Sequence, residues 1–95
     1  MIKVEVRKNA LSVTGHADYA EKGKDIVCAA VTALSQTLIK SIEDLTDDKI
    51  KYEIEQGSMI VEYEDLSEQG KLLIDSFFIG ICQISEEFPE NVKII

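Results

Sequence analysis

The stretch Asp25-Ile26-Val27-Cys28-Ala29-Ala30-Val31-Thr32-Ala33-Leu34-Ser35-Gln36-Thr37-Leu38-Ile39-Lys40-Ser41-Ile42-Glu43-Asp44-Leu45 governs how the rest of the chain must be arranged. Val27, Val31, Leu34, Leu38, Ile42 and Leu45 recur at spacings of four and three, which puts them on one face of a helix. Asp25 stands where an N-cap belongs, with a carboxylate able to accept a free first-turn amide. Ala29, Ala30 and Ala33 raise helix propensity and keep the first turns slim, so other backbone can come close to Cys28.

Outward from this helix the period changes to two. On the N-terminal side Ile2, Val4 and Val6 alternate with Lys3, Glu5 and Arg7, and Leu11 and Val13 resume the alternation up to Gly15-His16. Lys8-Asn9 supplies the turn, Asn tolerating the positive φ of a tight connection, so residues 1–16 read as a β-hairpin. Ala17 to Lys24 has no apolar period and carries Gly23, which predicts a surface loop of some mobility. On the C-terminal side Ile50, Tyr52 and Ile54 alternate with charges, Gln56-Gly57 turns, and Met59, Val61 and Tyr63 alternate again as a second hairpin. A last helix is expected from Ser67, its N-cap, to Phe88, where Pro89 stops it; Val92 to Ile95 reads as a short extra strand. The order ββαββα predicts a single α+β domain over residues 1–95, both helices lying on one face of an antiparallel or mixed sheet.

The 95 residues carry 45% hydrophobic side chains, enough to fill one small core but not two. Ten Lys and Arg against 18 Asp and Glu leave a net charge of −8, which repels phosphate backbones and anionic lipid and favours a basic partner. Neither nucleic acid nor a membrane is expected to bind. Two cysteines set in apolar helical patterns, no long apolar run and an N-terminus that alternates from the start predict a reduced, cytoplasmic protein. On the second helix Leu72, Leu73, Phe77, Ile81, Ile84 and Phe88 form a broad stripe, with Ile74 and Phe78 off it. That surplus predicts a homodimer, with Gly80 admitting another element closely and Cys82 as core filler.

His16 is the only histidine, at a strand end beside Gly15, and Cys28 falls in the first turn of the first helix. A helix N-terminus stabilises a thiolate and a neighbouring imidazole can take its proton, which together make a Cys-His nucleophile. First-turn N–H groups could complete an oxyanion hole. A buried small hydrophobe and a satisfied polar group are the plainer readings of a lone Cys and a lone His. Asp25 is an N-cap that could also orient the imidazole. Thr32, one turn beyond Cys28, reads as a hydroxyl bonded back to a carbonyl or as a group positioning substrate. Lys22 and Lys24 read as loop solvation, and Tyr19 as a loop anchor or a substrate contact. One His and two scattered Cys make no familiar metal-ligand set, and no cofactor is expected. A redox pair would need the two cysteine Cα atoms within about 7 Å.

The segment Thr14-Gly15-His16-Ala17 followed by Gly23-Lys24-Asp25-Ile26-Val27-Cys28-Ala29-Ala30-Val31 resembles the signature of the ribosomal-processing cysteine protease family, Prp. The resemblance implies a homodimeric α+β cysteine endopeptidase that removes the N-terminal extension of a large-subunit ribosomal protein, cutting after aromatic residues. It implies His16 as general base and Cys28 as nucleophile, Gly15, Asp25 and Thr32 in support, and Tyr19, Lys22, Gly23 and Lys24 on a loop that orders over the peptide. Thr32 stands where the family pattern has Ser, which keeps the hydroxyl and adds a methyl. The alternative from another class is a non-catalytic dimeric module that binds a basic ribosomal partner.

Overall fold

The computed structural model describes residues 1–95. Strands β1 (Ile2–Val6) and β2 (Ala10–Thr14) make the first hairpin and α1 (Ile26–Leu45) follows. Strands β3 (Ile50–Glu55) and β4 (Ser58–Tyr63) make the second hairpin, and α2 (Glu68–Glu87) leads into β5 (Val92–Ile94). Each helix begins where its cap residue predicts: Asp25 accepts from the Cys28 N–H, and Ser67 from the Gly70 N–H. The second cap is itself held, because the Ser67 N–H and hydroxyl both donate to the Asp48 carboxylate, at 3.0 and 2.8 Å.

The sheet runs β3-β4-β2-β1-β5, antiparallel throughout except for the parallel β1–β5 edge. Ile2, Val4, Leu11, Val13, Met59, Val61, Tyr63 and Val92 turn to one face, and Val27, Val31, Leu38, Ile39 and Ile42 of α1 meet them there with Ile74, Phe77 and Ile81 of α2. Both helices therefore lie on the same face, as the apolar periods require. They touch where Gly80 of α2 has no side chain: a Cβ there would come within 2.9 Å of Leu34 Cδ1. By length and a mean hydropathy of 1.3, α1 would qualify to cross a membrane, yet its apolar stripe is committed to the sheet.

Four sequence expectations change. Asn9 does not take a positive φ. The hairpin turn is held instead by Tyr63, whose hydroxyl reaches the Arg7 and Ala10 carbonyls at 2.9 and 3.2 Å and whose N–H donates to the Asn9 carbonyl. On α2 the buried line is Gly70, Ile74, Phe77 and Ile81, so Ile74 enters the core and Leu72 points to solvent. The phase is set by the sheet beneath and by Leu34 beside Gly80, which the count of apolar residues does not report. Tyr52 and Ile54 sit opposite Val61 and Met59 on the helix side of the sheet, but the helix layer stops short of the edge strand and leaves them 43% and 48% exposed. Ala17, assigned to an open loop, is buried in the core.

Replacing Tyr63 with Phe removes the hydroxyl from the turn and should cost about 1 kcal/mol at neutral pH. Burial pushes the Tyr63 phenol above its ordinary value of 10.0, so its contribution is complete below that value and is lost as pH rises through the folded one. Urea unfolding of both proteins should show the gap at neutral pH narrowing in alkali; equal neutral-pH stabilities would refute the turn-clamp role.

Candidate active site

Asp25 is extended at φ −85° and turns the chain into α1. One carboxylate oxygen accepts the Cys28 N–H at 2.9 Å, and the other accepts the Tyr19 and Ala20 N–H groups at 3.0 and 3.3 Å. These donors, that of Cys28 foremost, hold the Asp25 carboxyl below its usual value of 3.8 against the opposing effect of desolvation. The N-cap reading of Asp25 therefore describes its contacts, and both oxygens are spent on backbone, with none on the imidazole. The first-turn amides expected as an oxyanion hole are partly consumed in the same way.

Cys28 is half-buried in that first turn, packed against the core, and its Sγ accepts the Ala17 N–H at 3.4 Å. His16 follows β2 and is exposed, its ring lying on Gly57 in the turn between β3 and β4. A Cβ at position 57 would fall 2.8 Å from His16 Nε2, a contact the exposed ring can relieve by turning, whereas the backbone at φ +76° is what favours glycine there. Gly15 is constrained likewise: it has φ +98°, its N–H donates to the Gly57 carbonyl at 2.8 Å, and a Cβ would strike the Met1 carbonyl oxygen.

These pieces surround a groove of about 950 Å³ between the flank of α1 and the β3–β4 hairpin. Gly15, His16, Lys22, Gly23, Asp25, Cys28 and Thr32 all line it, with Ile54 and Met59 on the hairpin side. Thr32 is exposed to the groove and makes no bond back to the helix; Ser35, three residues on, makes that bond to the Val31 carbonyl at 2.7 Å. Tyr19 and Lys24 lie outside the lining. The Tyr19 ring meets Phe88 edge-on at 5.3 Å between centroids, and Lys24 pairs with Glu21 at 3.0 Å. The loop is thus tied down at Ala17, Tyr19 and Asp25, firmer than its composition suggests. Cys82 is free and half-buried on α2, and Cys28 is free as well.

A thiol and an imidazole facing one open groove, beside backbone donors, can carry out nucleophilic acyl transfer. Two contributors escaped the sequence reading. Gly57 read only as a turn, and Asn91, whose side-chain amide donates to the Ala17 carbonyl at 2.9 Å, lay in an unremarkable polar connection. Neither residue type carries a chemical signature, so no pattern in the chain points to them.

Known proteins resemble this chain over nearly all of its length. Residues 1–93 match the family described as Cysteine protease Prp. The ribosomal processing cysteine protease Prp of Mycoplasma genitalium is 42% identical, the match covering 99% of this chain and 94% of that protein. The protein of the same name from Staphylococcus aureus is 30% identical over 84% of this chain and 78% of its own. The fold superposes with a TM-score of 0.93 on the crystal structure of an essential ribosomal processing protease Prp from S. aureus in complex with a covalently linked product peptide. That chain is 26% identical, with 99% of this chain and 97% of that one covered.

Because its folded carboxyl sits below 3.8, Asp25 contributes in full above that value and its hold on the loop is lost as pH falls through the lower folded value. The amide signals of Tyr19, Ala20 and Cys28 should accordingly titrate together below 3.8 in an NMR pH series. A common midpoint at or above it would show that the carboxylate does not gather them.

Proposed function

The chain belongs to the cysteine protease Prp family, and from that premise we propose that it removes the N-terminal extension of a large-subunit ribosomal protein, cutting after aromatic residues, with Cys28 as nucleophile and His16 as general base. The observation that carries this reading is the convergence of Cys28 and His16 on one open groove, from the first turn of α1 and the end of β2. His16 takes the thiol proton as the sulfur attacks the scissile carbonyl, then returns it to the leaving amine; water hydrolyses the thioester and frees the new carboxylate. The apolar lining at Ile54 and Met59 suits aromatic side chains of the peptide, and Lys22 and Gly23 sit where the loop would meet it. The His16 ring on Gly57 makes no hydrogen bond to the thiol, so the dyad would tighten as the peptide enters.

The remaining parts of the reading rest on charge and exposed surface. A net charge of −8 speeds encounter with a basic ribosomal protein without demanding tight ground-state binding. The protein would work in the cytoplasm as a homodimer, for which Leu72 and Ile79, 69% and 61% exposed on α2, offer apolar surface.

A synthetic peptide spanning the extension, incubated with the protein and followed by mass spectrometry, should be cut at one bond after an aromatic residue. Cys28→Ala and His16→Ala should each lower the rate at least about a thousandfold. Cleavage surviving Cys28→Ala would remove the thiol mechanism, and an uncut peptide that still binds would favour a docking module.

A further inference from the structure

A helix N-terminus can stabilise one anion in its first turn well, and here that anion is Asp25. The Cys28 N–H donates to the Asp25 carboxylate, and so does little for the Cys28 sulfur. What does reach the sulfur is the Ala17 N–H, at 3.4 Å, from the chain segment just after His16. A backbone amide is useful to a developing thiolate only if it is held in place, because the energy of pointing it must not be spent at the moment of reaction. Ala17 is held well. It is 1% exposed, and its carbonyl accepts the Asn91 side-chain amide at 2.9 Å.

Asn91 in turn is fixed on both sides of its own backbone. Its N–H donates to the Phe88 carbonyl at 3.0 Å, and its carbonyl accepts the Ile2 N–H at 2.8 Å, locking the α2–β5 connection onto β1. A continuous line of bonds therefore runs from the end of α2, through the Asn91 amide and the two backbone groups of Ala17, to the Cys28 sulfur. Because His16 directly precedes Ala17, the same clamp also fixes where the imidazole leaves the sheet.

We propose that Asn91 is a positioning residue for the reaction: it holds Ala17 so that the Ala17 N–H supports the Cys28 sulfur as it becomes a thiolate and attacks. This deepens the protease reading and rests on it. Asn91 lies outside the groove lining and acts through Ala17. The charged and titratable groups lining the groove around Cys28 are His16, Asp18, Lys22, Asp25 and Glu55, and none of them is altered by a change at position 91.

The test uses Asn91→Ala and Asn91→Leu. The second keeps nearly the size of the side chain and removes the donor without adding a charge, and neither substitution touches the backbone groups bonded to Phe88 and Ile2. Iodoacetamide labelling of the intact protein, read by peptide mass spectrometry across a pH series, compares Cys28 with Cys82 as an internal standard. In both variants the Cys28-to-Cys82 rate ratio should fall about fivefold at neutral pH, with the Cys28 profile displaced to higher pH. Peptide cleavage should lose a similar factor in kcat with KM little changed, since the lost support acts on the reacting sulfur and not on peptide binding. A ratio and profile equal to the wild type, or an equal rise in both thiols from a loosened fold, would overturn the proposal. The two readings part cleanly. A wild-type protein that cuts no peptide but loses its Cys28 selectivity in the variants would retain the clamp and lose the protease assignment. Variants that cut with wild-type kcat would do the reverse.

Discussion

The Asp25 carboxylate is the constraint from which the site is built. It starts α1 by taking the Cys28 amide, and it closes the preceding loop by taking the amides of Tyr19 and Ala20. One charged group thereby sets the position of the thiol and the path of the segment that joins it to His16. The arrangement has a consequence for chemistry. Negative charge at the helix N-terminus is already present, so electrostatic support for a second anion at Cys28 must come from elsewhere in the fold. The Ala17 amide, delivered from the far side of the loop and clamped by Asn91, occupies that place.

The groove itself is a product of unequal layers. Two helices of 20 residues each cover β4, β2, β1 and β5 on one face, and the sheet extends one strand further. Along that extension Tyr52 and Ile54 remain uncovered on the helix side, and the flank of α1 with Cys28 and Thr32 becomes a wall. The loop between β2 and α1 and the β3–β4 turn form the rim. Gly15 and Gly57 let that rim close tightly: their backbones are bonded to one another, and the imidazole rests on the second. Rigidity at these points keeps His16 at the groove while leaving its ring open to solvent.

Much of the site was legible from residue types and their places. Asp25 announces itself as a cap by standing before an apolar period, and His16 and Cys28 stand out as an imidazole at a strand end and a thiol at a helix start. Thr32 was left between two readings, because a hydroxyl on a helix has a local carbonyl within reach and only packing decides whether it turns there; Ser35 makes that bond and Thr32 faces the groove. Tyr19 was left between two roles, and Phe88, about seventy residues away in sequence, is what draws its ring out of the groove lining. Ile74 and Leu72 exchanged places for a related reason, since a helix with apolar residues on several sides has no phase until it meets a surface.

By itself the sequence determined the elements, their order, the capping residues, the common face of the helices, and the placing of an imidazole at a strand end and a thiol at a helix start. These follow from periods and from local preferences that operate over a few residues. Only the tertiary structure decided the strand order, the bare edge at β3, the glycine beneath His16 and the line from Asn91 through Ala17 to Cys28. Each of those depends on contacts between segments far apart along the chain, where the free energy is set by burial and hydrogen-bond geometry at the meeting point. Asn91 and Ala17 are 74 residues apart, and no local pattern in either segment encodes the bond between them.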